Sequence, residues 1–173
     1  MTKRILWGVG SSRALRAHWA LVFLDLDYEI RPILTRTPAM ATPEYRAVNP
    51  RGKIPTLVDG DLTVTESPAI VNYLAERYST RERRLIPEAI EQRALYFEWM
   101  SFISMELDAT SLYVLRRHEG LPEIYSPAPE ACLAARAYFE RMINAAAVRL
   151  EDGRRYLLGE EFFGVDILMT TCL

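Results

Sequence analysis

The sequence predicts two differently built halves, an α/β N-terminal half followed by an all-helical C-terminal half. Three observations predict this. Short apolar and β-branched segments alternate with amphipathic stretches as far as Tyr78. Residues 49–70, NPRGKIPTLVDGDLTVTESPAI, read as a β-hairpin running into a helix. Residues 89–118 contain neither glycine nor proline, and Gly120 follows as a stop.

Arg4 to Gly8 reads as a first strand, broken by Gly8, Gly10, Ser11 and Ser12. A helix is expected from about Ser12 to Leu24, with Leu15, Trp19, Val22 and Phe23 turned to a core. Tyr28 to Leu34 is a second strand, and Thr42-Pro43-Glu44 opens a short helix by cap-then-proline logic. Thr56-Leu57-Val58 and Leu62 to Thr65 form the hairpin around Asp59-Gly60-Asp61, where Gly60 can take a positive φ. Ser67 suits an N-cap, Pro68 the first helical position, and Ile70, Leu74 and Tyr78 form the helix's apolar stripe. Glu66 and Ser67 therefore stand where a strand meets a helix N-terminus, a place whose N–H groups and dipole favour a carboxylate.

NPRGKIPTL followed by ESPAIVNYLAERY resembles the glutathione-binding half of the cytosolic glutathione transferases. That resemblance implies a thioredoxin-like layout, βαβαββα, over residues 1–79, a linker over 80–88 and a helical domain over 89–173. In the family the proline of the Ile-Pro pair is cis, and the residue before it offers its backbone to the cysteinyl unit. Carried onto this chain, Ile54 and Pro55 become that clamp, Glu66 and Ser67 the grip on the γ-glutamyl end, and Lys53 a contact for the glycine carboxylate. In serine-type members, theta- and zeta-like, the activating serine lies four residues before an arginine of the first helix. Counted back from Arg16 this is Ser12; the zeta pattern Ser-Ser-Cys instead overlays Ser11-Ser12-Arg13 and makes Ser11 the contender.

The chemistry needed at those serines is modest. A thiol of ordinary pKa, about 8.5, is only slightly ionised at neutral pH. Lowering it by about two units takes roughly 2.7 kcal/mol, which a serine O–H donating to sulfur beside a helix N-terminus can supply. Arg13 is a further candidate for stabilising the thiolate. The expected reaction is attack of the glutathione thiolate on a small hydrophobic electrophile, with glutathione as co-substrate and no metal. Two alternatives remain: a zeta-like glutathione-dependent isomerase, which Arg13 in place of cysteine argues against, and a binding or regulatory module without turnover.

The second half opens with the charged run Arg77, Arg81, Arg83 and Arg84, read as solvated surface. A helix over 89–118 would span about 45 Å, long enough to leave room for a bend within it. Ser101, Ser104, Asp108 and Ser111 form a polar stripe on it, facing either a cleft or solvent. His118 falls in its last turn, where positive charge suits the dipole. A second helix runs from Pro129 to about Glu151, with Ile143, Ala146, Ala147 and Leu150 on one face. Near the end, Asp166 matches the family's capping-box aspartate, but Phe163 stands where a Ser or Thr is expected, a loss of about 1 kcal/mol. The chain stops at Leu173, where family members continue through further helices, so the helical domain is expected to be shortened.

The composition is compatible with this reading and narrows it. Half of the 173 residues are hydrophobic, a quarter are charged, and the net charge is −2, which argues against nucleic acid as a partner. Cys132 and Cys172 form no CxxC pair, consistent with a reducing, cytoplasmic setting. The opening MTKRILWGVG has basic residues before apolar ones, but Arg13, Arg16 and His18 interrupt it before it becomes a leader. No uncharged run approaches the roughly 20 residues needed to cross a membrane. A homodimer is the assembly the resemblance implies.

Overall fold

The structure, a computed structural model, describes residues 3–173; Met1 and Thr2, which open the stretch weighed above as a leader, lie outside them. The chain divides into two compact units, Met1–Pro87 and Glu88–Leu173. Leu85, Ile86 and Pro87, within the stretch read as a linker, are buried and fall in the first unit. There the Leu85 N–H donates to Ser79 Oγ at 3.1 Å, and Arg83 pairs with Asp25 at 2.8 Å.

The first unit contains β1 (Arg4–Val9), α1 (Ser12–Phe23), β2 (Glu29–Leu34), a 3-10 turn (Pro38–Ala41), α2 (Pro43–Val48), β3 (Thr56–Asp59), β4 (Leu62–Thr65) and α3 (Ser67–Tyr78). The sheet order is β2-β1-β3-β4, with β1 and β2 parallel and the other neighbours antiparallel. This is the βαβαββα layout that the family resemblance implied. Alternation along β1 and β3 divides the core into two layers. Trp7 packs with Ile5, Ile33, Tyr45, Ile54 and Val58 on one face. Leu6 and Leu57, fully buried, belong to the other, the side of α1 and α3.

The buried face of α1 is not the expected one. Leu15 and Val22 are 51% and 66% exposed, Trp19 and Phe23 are half-buried, and the core side carries Ala14, Ala17, Ala20 and Leu21. Both sets satisfy a helical period. Alanines win because short side chains let the helix backbone approach its neighbours closely, whereas the larger residues would hold it off. In α3, by contrast, Ile70 and Leu74 are buried as expected, and Tyr78 turns its hydroxyl to Asp59 at 2.5 Å.

In the second unit α4 (Ile90–Phe102) runs on into a π-helical stretch, Ile103–Leu112, and then α5 (Tyr113–His118). Wider winding accommodates this long segment, and Ser111 Oγ donates to the Glu106 carbonyl five residues back at 2.9 Å. The Glu106 carboxylate takes the hydroxyl of Tyr138, which lies on a later helix. Asp108 and Ser111 are buried, Ser104 is half-buried and Ser101 is exposed, so the polar stripe runs from solvent into the core. A short α6 (Pro122–Tyr125) precedes α7 (Pro129–Val148), which buries Cys132, Ala135 and Ala146; Ile143 and Leu150 are only half-buried and Ala147 is exposed.

α8 (Gly164–Thr170) shows how the chain manages without a hydroxyl at its N-cap. Asp166 Oδ2 accepts from the Phe163 N–H at 2.8 Å and Oδ1 from the Leu157 N–H at 2.9 Å. The Asp166 N–H in turn donates to the Phe163 backbone carbonyl at 3.0 Å. The donor that a serine would have satisfied is thus taken by the main chain, and the phenyl ring is 3% exposed. The expected capping loss is offset.

Candidate functional site

Three segments of the first unit converge at one end of its sheet: the β1–α1 junction, the loop before β3, and the β4–α3 junction. Gly8, the next-to-last residue of β1, has φ +110°, and a Cβ there would lie 2.5 Å from Ile54 Cβ. A side chain at residue 8 would push Ile54 away, so only glycine lets the loop seat against the strand. The Gly8 carbonyl accepts from His18 Nε2–H at 3.0 Å, which fixes the tautomer and leaves Nδ1 to face the Tyr28 hydroxyl at 2.9 Å.

The loop carrying Lys53, Ile54 and Pro55 is fixed from beneath. The Lys53 carbonyl accepts from the Tyr45 hydroxyl at 2.5 Å and from Asn49 Nδ2 at 2.8 Å. Thr56 Oγ1 joins the same cluster, 3.0 Å from each of those donors. Burial pushes the Tyr45 hydroxyl above its ordinary pKa, against the smaller opposing effects of Thr56 and Asn49, so it stays a donor. With its carbonyl held inward, Lys53 is exposed, and the Ile54–Pro55 bond is cis.

At the β1–α1 junction the two serines take different roles. Ser11 is the N-cap of α1, its Oγ accepting from the Ala14 N–H at 3.1 Å. Ser12 is the first helical residue, and both are half-buried. Capping occupies Ser11 as an acceptor while leaving its O–H as a donor.

At the β4–α3 junction Glu66 has φ +69° and ψ +118°, a conformation that side-chain-bearing residues seldom adopt. Such geometry persists where the surroundings over-determine it, as at ligand clamps. Glu66 is exposed and pairs with Arg51 Nη1 at 3.1 Å. Ser67, 2% exposed, accepts from Arg16 Nη1 at 3.4 Å, so its own hydroxyl proton points elsewhere. Arg16 is itself 1% exposed. α1 and α3 are therefore joined behind the Glu-Ser pair by a buried guanidinium.

The structure thus brings Ile54 against β1, and Glu66 and Ser67 into contact with Arg51 and Arg16. Sequence reasoning used Arg16 as a ruler for the serine and as a break in a leader, read Gly8 only as a strand breaker, and gave no site role to Arg51 or to the Tyr45–Asn49–Thr56 cluster. One signal was available: Arg16 lies beside Ala17 and Ala20, on a face of small residues unlike solvent-facing helix. Among the described residues, no group of three or more His, Cys, Asp or Glu is placed to hold a metal.

A family model described as "Glutathione S-transferase, N-terminal domain" matches residues 10–77. The chain is 34% identical over 164 residues to a zeta-class glutathione S-transferase of Euphorbia esula, covering 92% of this chain and 69% of that protein. The chain belongs to the glutathione S-transferase family. It is also 37% identical over 93 residues to glutathione S-transferase Z1 of Arabidopsis thaliana, a match spanning 54% of the chain but only 41% of that relative. Among solved structures, a theta-class glutathione S-transferase from Xanthomonas axonopodis pv. citri, with glutathione bound, superposes at a TM-score of 0.80 with 30% identity, covering 98% of this chain and 80% of that one. The fold is that of the family: a thioredoxin-like unit followed by a helical one.

Proposed function

We propose that this glutathione S-transferase family member binds glutathione at the converged sheet end and activates its thiol for attack on a small hydrophobic electrophile. The observation that carries the proposal is the strained Glu66 backbone beside buried Ser67, at the start of a twelve-residue helix. Glu66 presents a carboxylate to the γ-glutamyl ammonium, and Ser67 an O–H to its carboxylate. Ile54, placed by Gly8 and by the Lys53 carbonyl cluster, offers its backbone to the cysteinyl unit. Lys53, exposed on the same loop, meets the glycine carboxylate.

Ser12 is the group assigned to the sulfur. Ser11 already caps the helix, so Ser12 at the first helical position is the hydroxyl whose placement the cap determines. Its O–H, together with the positive end of α1, stabilises the thiolate by the roughly 2.7 kcal/mol that a two-unit depression requires. The thiol proton leaves to solvent. The thiolate sulfur forms a bond to the electrophilic carbon while the π bond or leaving-group bond there breaks and carries off its electron pair, and no metal takes part. The relative with bound glutathione supports the ligand choice. By the same analogy the protein acts in the cytoplasm as a homodimeric detoxification enzyme, an assembly that light scattering at micromolar concentration checks.

The test is the ultraviolet thiolate absorbance of bound glutathione against pH, in the wild type, Ser12→Ala and Ser11→Ala. The expected result is a depressed thiol pKa that Ser12→Ala abolishes. Ser11→Ala instead costs stability, about 1 kcal/mol from the lost cap. Binding with an ordinary thiol pKa in the wild type overturns turnover in favour of a binding module. No binding overturns the site.

A further inference from the structure

We propose that Arg51 is a specificity-determining residue of this site, which on binding leaves the Glu66 carboxylate and takes the α-carboxylate of the γ-glutamyl group. This inference rests on the glutathione reading above and adds a residue to it.

Four observations place Arg51 for the task. Its guanidinium is shared between two neighbours at the β4–α3 junction: Nη1 lies 3.1 Å from Glu66 Oε1, and Nη2 donates to Thr65 Oγ1. The backbone beneath is fixed, since the Arg51 N–H donates to Asn49 Oδ1 at 3.1 Å and the Gly52 N–H to the Asn49 carbonyl at 2.9 Å. The turn closes tightly, with Gly52 at φ +56° and Arg46 Nη1 donating to the Pro50 carbonyl at 2.6 Å. Finally, the Arg51 and Glu66 side chains are 58% and 63% exposed, so their pairing contributes little to stability and is readily exchanged.

A guanidinium and a carboxylate side by side are the charge image of an amino acid's ammonium and carboxylate. When the γ-glutamyl zwitterion arrives, its ammonium replaces Arg51 on Glu66. Arg51, still anchored through Nη2 on Thr65, turns its remaining N–H groups to the α-carboxylate. The exchange conserves charge: one ion pair opens and two form. It also makes Arg51 a competitor of any ligand that brings an ammonium without a carboxylate. Arg51 therefore helps the complete head group and opposes the incomplete one.

Calorimetric titration of the full chain with glutathione and with γ-aminobutyryl-cysteinylglycine, which keeps the amine and lacks the α-carboxylate, tests this in the wild type, Arg51→Gln and Arg51→Lys. Arg51→Gln is expected to raise the Kd for glutathione about tenfold, the loss of one charge-assisted contact, while the Kd of the analogue stays the same or falls. Arg51→Lys, which keeps the charge without the fork, recovers part of the glutathione affinity. Equal weakening of both ligands overturns the inference, because a residue that only orders the loop acts on both alike. Unchanged glutathione affinity in Arg51→Gln overturns it too and leaves the glutathione reading standing. A wild type that binds neither peptide overturns that reading, and this one with it.

Discussion

Glu66 offers a direct test of whether the site is held against the preference of its own backbone. A residue other than glycine at φ +69°, ψ +118° carries about 1–3 kcal/mol of strain. Glu66→Gly releases that strain and loses about 0.5–1 kcal/mol to the greater freedom of the unfolded chain. Glu66→Ala keeps the strain. Both variants lose the exposed Arg51 pair, worth at most about 1 kcal/mol, so that contribution cancels between them. At the middle of those ranges the glycine variant should therefore be the more stable by about 1 kcal/mol, or about 2–4 °C in melting temperature for a chain of this size. Both should bind glutathione at least about tenfold more weakly, having lost the charged partner of the ammonium. Melting curves of the free protein and calorimetric titration read the two effects separately. A glycine variant no more stable than the alanine one refutes the strain argument. Glutathione affinity kept within a factor of about two in either variant refutes the role assigned to the carboxylate.

Three further predictions concern stability away from the ligand. Asp166→Ala leaves the buried N–H groups of Leu157 and Phe163 without acceptors and should cost about 2–5 kcal/mol in denaturant unfolding. Phe163→Ser, which restores the hydroxyl cap, should still destabilise by about 2–4 kcal/mol, since the buried ring is worth more than the cap. The Tyr73 hydroxyl, donating to Asp59 at 3.0 Å, is pushed up to about 12, first by burial and then by the Asp59 bond and charge. Its folded value lies above its ordinary 10.0, so its contribution is complete below about pH 10 and is lost as pH rises towards 12. Tyr73→Phe should flatten that decline in alkaline melting curves; an unchanged slope would contradict the assignment.

The layout of strands and helices was legible because turn chemistry and period agree along the first unit. Gly60 at φ +62° makes the hairpin, Pro68 opens α3, and Thr42 caps α2 through the Tyr45 N–H at 3.3 Å. What failed was the choice of face where two sets share a period, as in α1: a hydrophobicity count favours Leu15 and Val22, while close packing favours alanine. The π-helical stretch had no sequence mark, and its packing partners, such as Tyr138 on the Glu106 carboxylate, lie far along the chain. At the site, Ile54, Pro55, Glu66 and Ser67 could be singled out because they form a motif in sequence. Arg16 and Ser67 are fifty-one positions apart, and only folding makes them neighbours.

The site's backbone limits which residue types it can hold. Left-handed conformations recur around it, at Gly8, Gly10, Gly52 and Glu66. At Gly8 and Gly10 a Cβ would strike Ile54 and Leu34, and at Gly52 it would strike Arg46. These glycines let three chain segments approach more closely than side chains permit, and they cost only conformational entropy. Glu66 meets the same left-handed requirement without being glycine. On the proposed glutathione reading the difference lies in what each position presents: a glycine position only yields space, whereas Glu66 also extends a carboxylate from the strand end. On that reading, the strain at the β4–α3 junction falls on a position whose side chain meets the ligand, and relieving it with glycine would remove that carboxylate.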